Sequence, residues 1–526
     1  MNTGRSAETF VSVRTFILKR FRLVALAPLL ALVVLSAWAF ASPVASSPDD
    51  DFHLVSIWCS TGNDAYCQAG SADENRLVPY AVLKAPCFKS NSFASAACQD
   101  SLDFESSEMI QTKRGNFSGA YPPLYYSVMS VFVGPDVQVS VLAMRIFNII
   151  LFIGITTSLY LLLPRSRRPA LVWGWLITTM PLGVFLLASN NPSAWAIAGV
   201  GSAWLALLGF YESRSRAKRW SLGALVVVSV LMAAGSRGDS AVYVVGALGV
   251  AAILAFTNTR TFWMLSILPA VLSAVAVGFF LSARQTASGV SGFTGGDAVA
   301  ATEQTAGVVD SLSGFALFAY NLLSIPFMWL GAFGGWPLGW IDTPLPVIVM
   351  FLGVAAFIGV GFVGLSILNG RKVFVVAAVG LVLTLLPIYV LTQGGDTVGE
   401  EVQPRYILPL IVLFGGVLIV QVGRKAFALS RVQAIAVVFV LSVANLVALH
   451  MNIRRYVTGI DAPGWNLNAG AEWFWSGAPA PMVVWAIGTI AFAALATVLA
   501  RDMFLANSAT PSVTCSEEIV TESASR

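Results

Sequence analysis

FALFAYNLLSIPFMWLGAFG, residues 315–334, is apolar enough to cross a bilayer, and whether it crosses decides the fold. Its surroundings answer the question. Downstream lies NGRK (369–372), a basic turn without acid. Basic connectors nearly free of acid recur at PRSRRP (164–169), ESRSRAKR (212–219), TNTR (257–260) and GRKAFALSR (423–431), and the amino end adds Arg14, Lys19, Arg20 and Arg22. Short basic loops stay on the cytoplasmic side. If 315–334 crossed, NGRK and every later basic loop would face outward. The segment is therefore expected to be a re-entrant or interfacial helix on the outer side. Pro326 and the Gly-rich end suit a segment resting against protein rather than lipid.

The rest of the chain follows the same logic. Of 526 residues, 57% are hydrophobic and 11% are charged, about half the charge of a soluble domain. Spans are expected near 23–42, 139–163, 170–188, 193–211, 220–235, 240–256, 262–282, 346–368, 372–391, 405–422, 431–450 and 480–500. This makes an all-α polytopic membrane protein of about 12 transmembrane helices, one domain over 23–500. The stretch 1–22 and the polar tail 501–526, expected to be disordered, are then cytoplasmic. Most acids fall in the opposite set: the first external loop 43–138, then 283–345, 392–404 and 451–479. The basic start, apolar run and AFA before Ser42 resemble a secretory signal. The run is about 20 residues, longer than a signal core, so it is expected to remain as an anchor. A net charge of +4 gives no reason to expect nucleic acid as a partner.

Four of the five cysteines, Cys59, Cys67, Cys87 and Cys98, share the loop 43–138, and Cys515 lies alone in the tail. An even set in one loop points to disulfides and an oxidising compartment. Three connectivities exist; Cys59–Cys67 with Cys87–Cys98 is favoured because both close short loops.

Groups that could carry chemistry gather on the external face. PDDDFH (48–53) follows the first span directly. A partly desolvated carboxylate there has its pKa raised toward the working pH and could take a proton from a hydroxyl. Neighbouring carboxylates could instead share a divalent cation such as Mg or Mn. His53 could orient an acid or bind phosphate. YPPLYYSV (121–128) offers Tyr121 and Tyr125 as an aromatic platform or an interfacial anchor. Arg145, inside the second span, reads as a clamp on an anionic headgroup or as a snorkelling side chain. Asn190 and Asn191 form one outer turn, and Arg237 and Asp239 another. Trp340 and Asp342 lie in GWIDTPLP, and Gln403, Arg405 and Tyr406 in VQPRYILPL. Aromatic and polar groups on one membrane face are what a lipid-linked saccharide site needs. No P-loop, dinucleotide fingerprint, zinc spacing or nucleophile elbow is present.

PDDDFH, YPPLYY, NNPSA, GWIDTPLP and VQPRYILPL occur in that order over about residues 20 to 500. The pattern resembles a bacterial family of predicted polytopic membrane proteins of unknown function related to the class C (GT-C) glycosyltransferases. The resemblance implies a GT-C-like bundle in the plasma membrane, active at the external face. It implies transfer of a sugar from a polyprenyl-phosphate donor to a cell-envelope glycan or glycolipid, with inversion. The catalytic base falls by match on Asp49 or Asp50. The family usually has Glu at the position of Asp50, glycine at that of Pro404 and an acid at that of Ser193. Two other expectations stand beside this one: a flippase or transporter of lipid-linked sugars, and a noncatalytic envelope scaffold. Apart from Arg145 the spans are nearly free of charge, which disfavours ion-coupled transport.

Overall fold

The computed structural model describes residues 23–72, 74–283, 313–399, 402–422 and 427–508. Expectations placed on 1–22, on 284–312 and on the tail beyond Ser508 lie outside the described residues.

The first helix, α1 (Ala27–Phe40), leads into a folded cap rather than an open loop. The cap holds α2 (Asp50–Cys59), β1 (Gln68–Ala69), β2 (Arg76–Pro79), α3 (Tyr80–Lys84), β3 (Met109–Thr112) and α4 (Leu124–Met129). The strands pair antiparallel in the order β1-β2-β3, with Val78 opposite Ile110. Trp58, Val78, Val82 and Phe88 are buried beneath. Disulfides Cys59–Cys67 and Cys87–Cys98, the pairing favoured from loop length, each close a short loop within it.

A run of apolar helices follows, most of them long: α5 (Val137–Leu162), α6 (Arg168–Thr178), α7 (Leu182–Leu187), α8 (Ser193–Glu212), α9 (Arg216–Ser236), α10 (Gly238–Ala255), α11 (Arg260–Leu265) and α12 (Ile267–Ser282). Then come α13 (Gly314–Leu330), α14 (Val347–Leu365), α15 (Gly370–Gly394), α16 (Pro404–Ile419), α17 (Arg431–Val457) and α18 (Pro481–Ser508). Without water to bond, such a backbone must satisfy itself, and the helix does so within one segment. Several ends are fixed by side chains. Asp136 accepts from Val139 N, Asn369 from Lys372 N, and Ser430 with Gln433 forms a capping box.

Ten helices among the described residues are long and apolar enough to cross a membrane, and all but Gly314–Gly335 fall on expected spans. The expected spans 23–42 and 405–422 appear as the shorter apolar helices α1 and α16. The expected span 170–188 is broken into α6 and α7, where Pro181 supplies no N–H to the ladder. In α13, Asn321 Nδ2 donates to Asp396 O at 3.0 Å and Trp329 Nε1 to Leu383 O at 3.2 Å. This helix therefore runs antiparallel to the C-terminal half of α15. A turn at Gly331–Gly335, with Gly334 at φ 97°, reverses the chain. Soon afterwards Trp340 Nε1 bonds Ala45 O, just past α1, at 2.9 Å.

The interior centres on α8, whose span window is wholly buried in protein. It packs on α9, α10 and α16. Small residues allow the approach: a Cβ on Gly199 would stand 2.5 Å from Ser229 O. At the end of α17, Arg455 is fully buried and joins cap to bundle. It donates to Phe88 O (2.9 Å), Ala94 O (2.5 Å), Asp342 O (3.2 Å) and Asp342 Oδ2 (2.7 Å).

Candidate functional site

The segment between α1 and α2 is buried, yet it is neither helix nor strand. Its carbonyls must find side-chain donors. Arg145 spends all five of its N–H groups there or beside it: Nη1 on Ala39 O (2.8 Å) and Ser42 O (2.6 Å), Nη2 on Pro43 O (2.6 Å) and Ser46 Oγ (3.3 Å), and Nε on Asn190 Oδ1 (3.1 Å). Asn452 holds Ala41 O, Gln99 holds Val44 O, Trp340 holds Ala45 O, and Asn191 holds Pro48 O. Side chains from many parts of the chain thus fix one buried turn. It ends at Asp49, in the left-handed region at φ 60°, ψ 21°. The other non-glycine residues at positive φ among those described are Ala45, Ser90 and Ile341. Ala45 lies in the turn, Ile341 lies beside Trp340, and Ser90 N donates to Asp342 Oδ2 at 3.1 Å. Strained backbone of this kind collects where the surroundings over-determine it.

The three aspartates diverge. Asp49 keeps about 30% of its side chain exposed, with Oδ2 at 2.5 Å from Arg405 Nη2 and Oδ1 at 3.4 Å from Arg114 Nη2. Burial alone would push its carboxyl up, but Arg405 and Arg114 outweigh that and hold it at about 2. Asp50 is fully buried; Oδ2 accepts from Ser47 N at 3.0 Å and Oδ1 has no partner. Burial pushes this carboxyl up to about 7. Asp51 is bound by Lys89 Nζ at 3.0 Å and Arg114 Nε at 2.8 Å.

Around Asp49 stand rings and guanidiniums. Tyr406 carries Arg237 at 4.5 Å from its ring centre and Arg405 at 4.8 Å, and Arg237 also lies 5.7 Å from the Tyr121 ring. Arg237 pairs with Asp239 at 2.8 Å. Arg237 Nη1 and Arg405 Nε are buried donors with no partner. His53 meets the Tyr121 ring edge-on at 5.4 Å and shares a 3.0 Å hydrogen bond between Nδ1 and Tyr126 Oη. Burial drives its imidazole down to about 3, so it is neutral, and its buried Nε2 has no partner.

Of the candidates named from the sequence, Asp49, His53, Tyr121, Asn191, Arg405 and Tyr406 come together here. Other expectations need correction. Arg145 is no phosphate clamp, because backbone carbonyls and neighbouring side chains consume its donors. Asp50 is fully buried with Oδ2 on Ser47 N, so it is not the carboxylate open to a substrate. Asp342 is locked to Arg455 and Ser90 N, and Trp340 acts as a strut on Ala45. Tyr125 stands behind the site, its hydroxyl on Asn190 O at 2.5 Å. Gln403 is half-buried at the N-cap of α16, where its side chain makes no capping hydrogen bond. The divalent cation does not fit either. Asp49 and Asp51 already face Arg405, Arg114 and Lys89, and among the described residues no group of three His, Cys, Asp or Glu is placed to hold a metal. The donors left over suit an anion. Arg114 and Lys89 escaped notice, since nothing in QTKRGN or CFKS marks them; only the folded cap brings them to the aspartates.

The model of a family described as predicted membrane protein (DUF2142) matches residues 32–414, a stretch that contains the cap, the turn and Arg405. No curated protein and no solved structure matches the chain.

Proposed function

The chain belongs to the DUF2142 family of predicted membrane proteins, and from that premise we propose that it is a glycosyltransferase moving a sugar from a polyprenyl-phosphate donor to a cell-envelope glycan or glycolipid. The observation that carries this reading is the pairing at one place of an accessible carboxylate, Asp49, with buried, unpartnered guanidinium N–H groups on Arg237 and Arg405. A base and an anion seat side by side are what displacement of a phosphate from a sugar requires.

The donor phosphate sits against Arg405 and Arg237, and Tyr121 and Tyr406 flank the sugar. The acceptor hydroxyl attacks the anomeric carbon on the face opposite the phosphate. As the new C–O bond forms, the old one breaks, its electron pair leaves with the phosphate, and Asp49 takes the hydroxyl proton. At about 2, the resting Asp49 is a weak base. A phosphate that draws Arg405 toward itself and adds negative charge raises Asp49 when it is needed. Asp50 keeps the turn closed through Ser47 N rather than acting as base.

In this reading the Asp49 face is external, and the basic connectors and both termini lie on the cytoplasmic side of the cell membrane. Two disulfides in the cap support an oxidising side for that face. The antiparallel run of α13 along half of α15, and its prompt return to Trp340, support a re-entrant helix and about twelve crossings.

The test is transfer from a radiolabelled polyprenyl-phosphate sugar in membrane vesicles. Asp49→Asn is expected to lose at least about 100-fold in rate while accumulating normally with its disulfides intact. Full transfer by this variant would end the assignment of the base. Lipid movement across vesicles without a new glycosidic bond would replace the reading with a flippase.

A further inference from the structure

A cavity of about 840 Å³ opens well away from Asp49, between α1, α5, α6, α7 and α18. Its depth is lined by Leu35, Phe152, Trp175, Leu187 and Leu495. The walls offer little to a polar ligand: the Thr156 hydroxyl is returned to Phe152 O at 2.9 Å. One end differs. There the connector PRSRRP brings Arg165 and Arg168 to the rim beside Tyr160 and Asp502. The Tyr160 hydroxyl donates to Asp502, and the Arg168 guanidinium lies 4.5 Å from the Tyr160 ring centre. Arg168 Nε is buried without a hydrogen-bond partner. The rim is therefore cationic: it carries two guanidiniums and one carboxylate that already holds a hydroxyl.

We propose that this cavity is a binding site for an anionic phospholipid from the leaflet on the side of the basic connectors. Its acyl chains would fill the apolar depth and its phosphate would meet Arg165 and Arg168. Charge complementarity selects this occupant. The donor lipid is a poor match, because its phosphate belongs with Arg405 at the other face. The residues preceding α1 are a poor match for the rim too, carrying Arg14, Lys19, Arg20 and Arg22. Such a lipid would wedge α1 against α5, the helix whose Arg145 holds the turn to Asp49. The inference stands whether or not the protein transfers sugars.

The experiment is native mass spectrometry of the full chain, taken from nanodiscs of equal phosphatidylglycerol and phosphatidylcholine. Wild type is expected to retain phosphatidylglycerol over phosphatidylcholine by about tenfold. Arg165→Glu with Arg168→Glu should abolish the preference, and Arg165→Lys with Arg168→Lys should keep most of it. Thr156→Trp, which narrows the cavity and leaves the rim intact, should lower retention of both lipids. Equal retention of the two lipids by wild type would overturn the proposal. So would release of all lipid, as happens if another part of the chain fills the cavity, or an unchanged preference in the glutamate variant. If the glutamate variant does not fold, the lysine and tryptophan variants still decide.

Discussion

Three consecutive aspartates meet three environments, and the difference is worth several kcal/mol. Asp50 is the clearest case. Its carboxyl stands at about 7 in the folded protein against 3.8 when unfolded, because burial disfavours the charge. Between those values the native state binds the extra proton, so stability falls as pH rises from about 4 to about 7 and then levels, a loss on the order of 4 kcal/mol. Thermal unfolding of Asp50→Asn should lack that decline, and a wild-type slope in the variant would contradict the assignment. Asp49 runs the other way. Its depressed value of about 2 gives stability that is full above about 4 and is lost only as pH falls through 2. Since kcat/KM reports groups of the free enzyme, no acid limb from Asp49 should appear down to pH 4. Arg145 and Arg405 make a further contrast. Arg145→Gln strands several buried carbonyls at about 1–3 kcal/mol each, so the protein should fail to accumulate. Arg405→Gln should accumulate and lose transfer. Western blots and vesicle assays on the two variants separate the roles. From sequence alone both are arginines near an outer face. An arginine inside a span announces itself by its cost, but whether its donors are spent on carbonyls or left for a ligand depends on the turn it meets, and that turn has no local signature.

At the scale of elements, hydropathy made most helices legible, because a membrane span is written as one uninterrupted apolar run. It was less informative where tertiary contacts shape the element. The stretch 170–188 reads as one span, yet breaks around Pro181. PDDDFH reads as a loop, yet becomes the start of α2, because the buried turn before it presents Asp49 in the left-handed region. The segment 315–334 has the length of a span, and in the sequence the charge of later connectors is the main argument against a crossing. Its fate is directly testable. Cysteines placed at Ser313 and Pro346, in a chain whose Cys515 is replaced, lie on either side of α13 and its turn. Both should react with a membrane-impermeant maleimide added outside intact cells. Labelling of one and not the other would make α13 a true crossing and reverse every later connector.

The whole molecule works as a cap seated on a bundle, and among the joints that hold it Arg455 makes the most bonds from one side chain. Arg455 alone ties the cap carbonyls of Phe88 and Ala94 to α17 and to Asp342 in the segment after α13. The same face of α17 carries Tyr456, whose ring meets Phe88 edge-on at 5.3 Å and whose hydroxyl reaches Ser46 O in the turn before Asp49. Losing this joint should therefore misplace Asp49 without touching it. The pair is fully buried, so removing one partner leaves an uncompensated charge, typically at about 3–5 kcal/mol, whereas replacing both with apolar residues of similar size costs far less. Asp342→Leu should lower the thermal midpoint sharply, Arg455→Met should do the same, and the double variant should recover only part of the loss, because the carbonyls that Arg455 bonded stay unpaired. Activity should not follow stability. With its guanidinium gone, the double variant has nothing to hold Phe88 O and Ala94 O, so transfer should remain depressed even where folding is partly restored. Unfolding midpoints and vesicle rates on the four proteins give both cycles. If rate returned along with stability, Arg455 would be a packing element only, and the position of Asp49 would be set by the Arg145 turn alone.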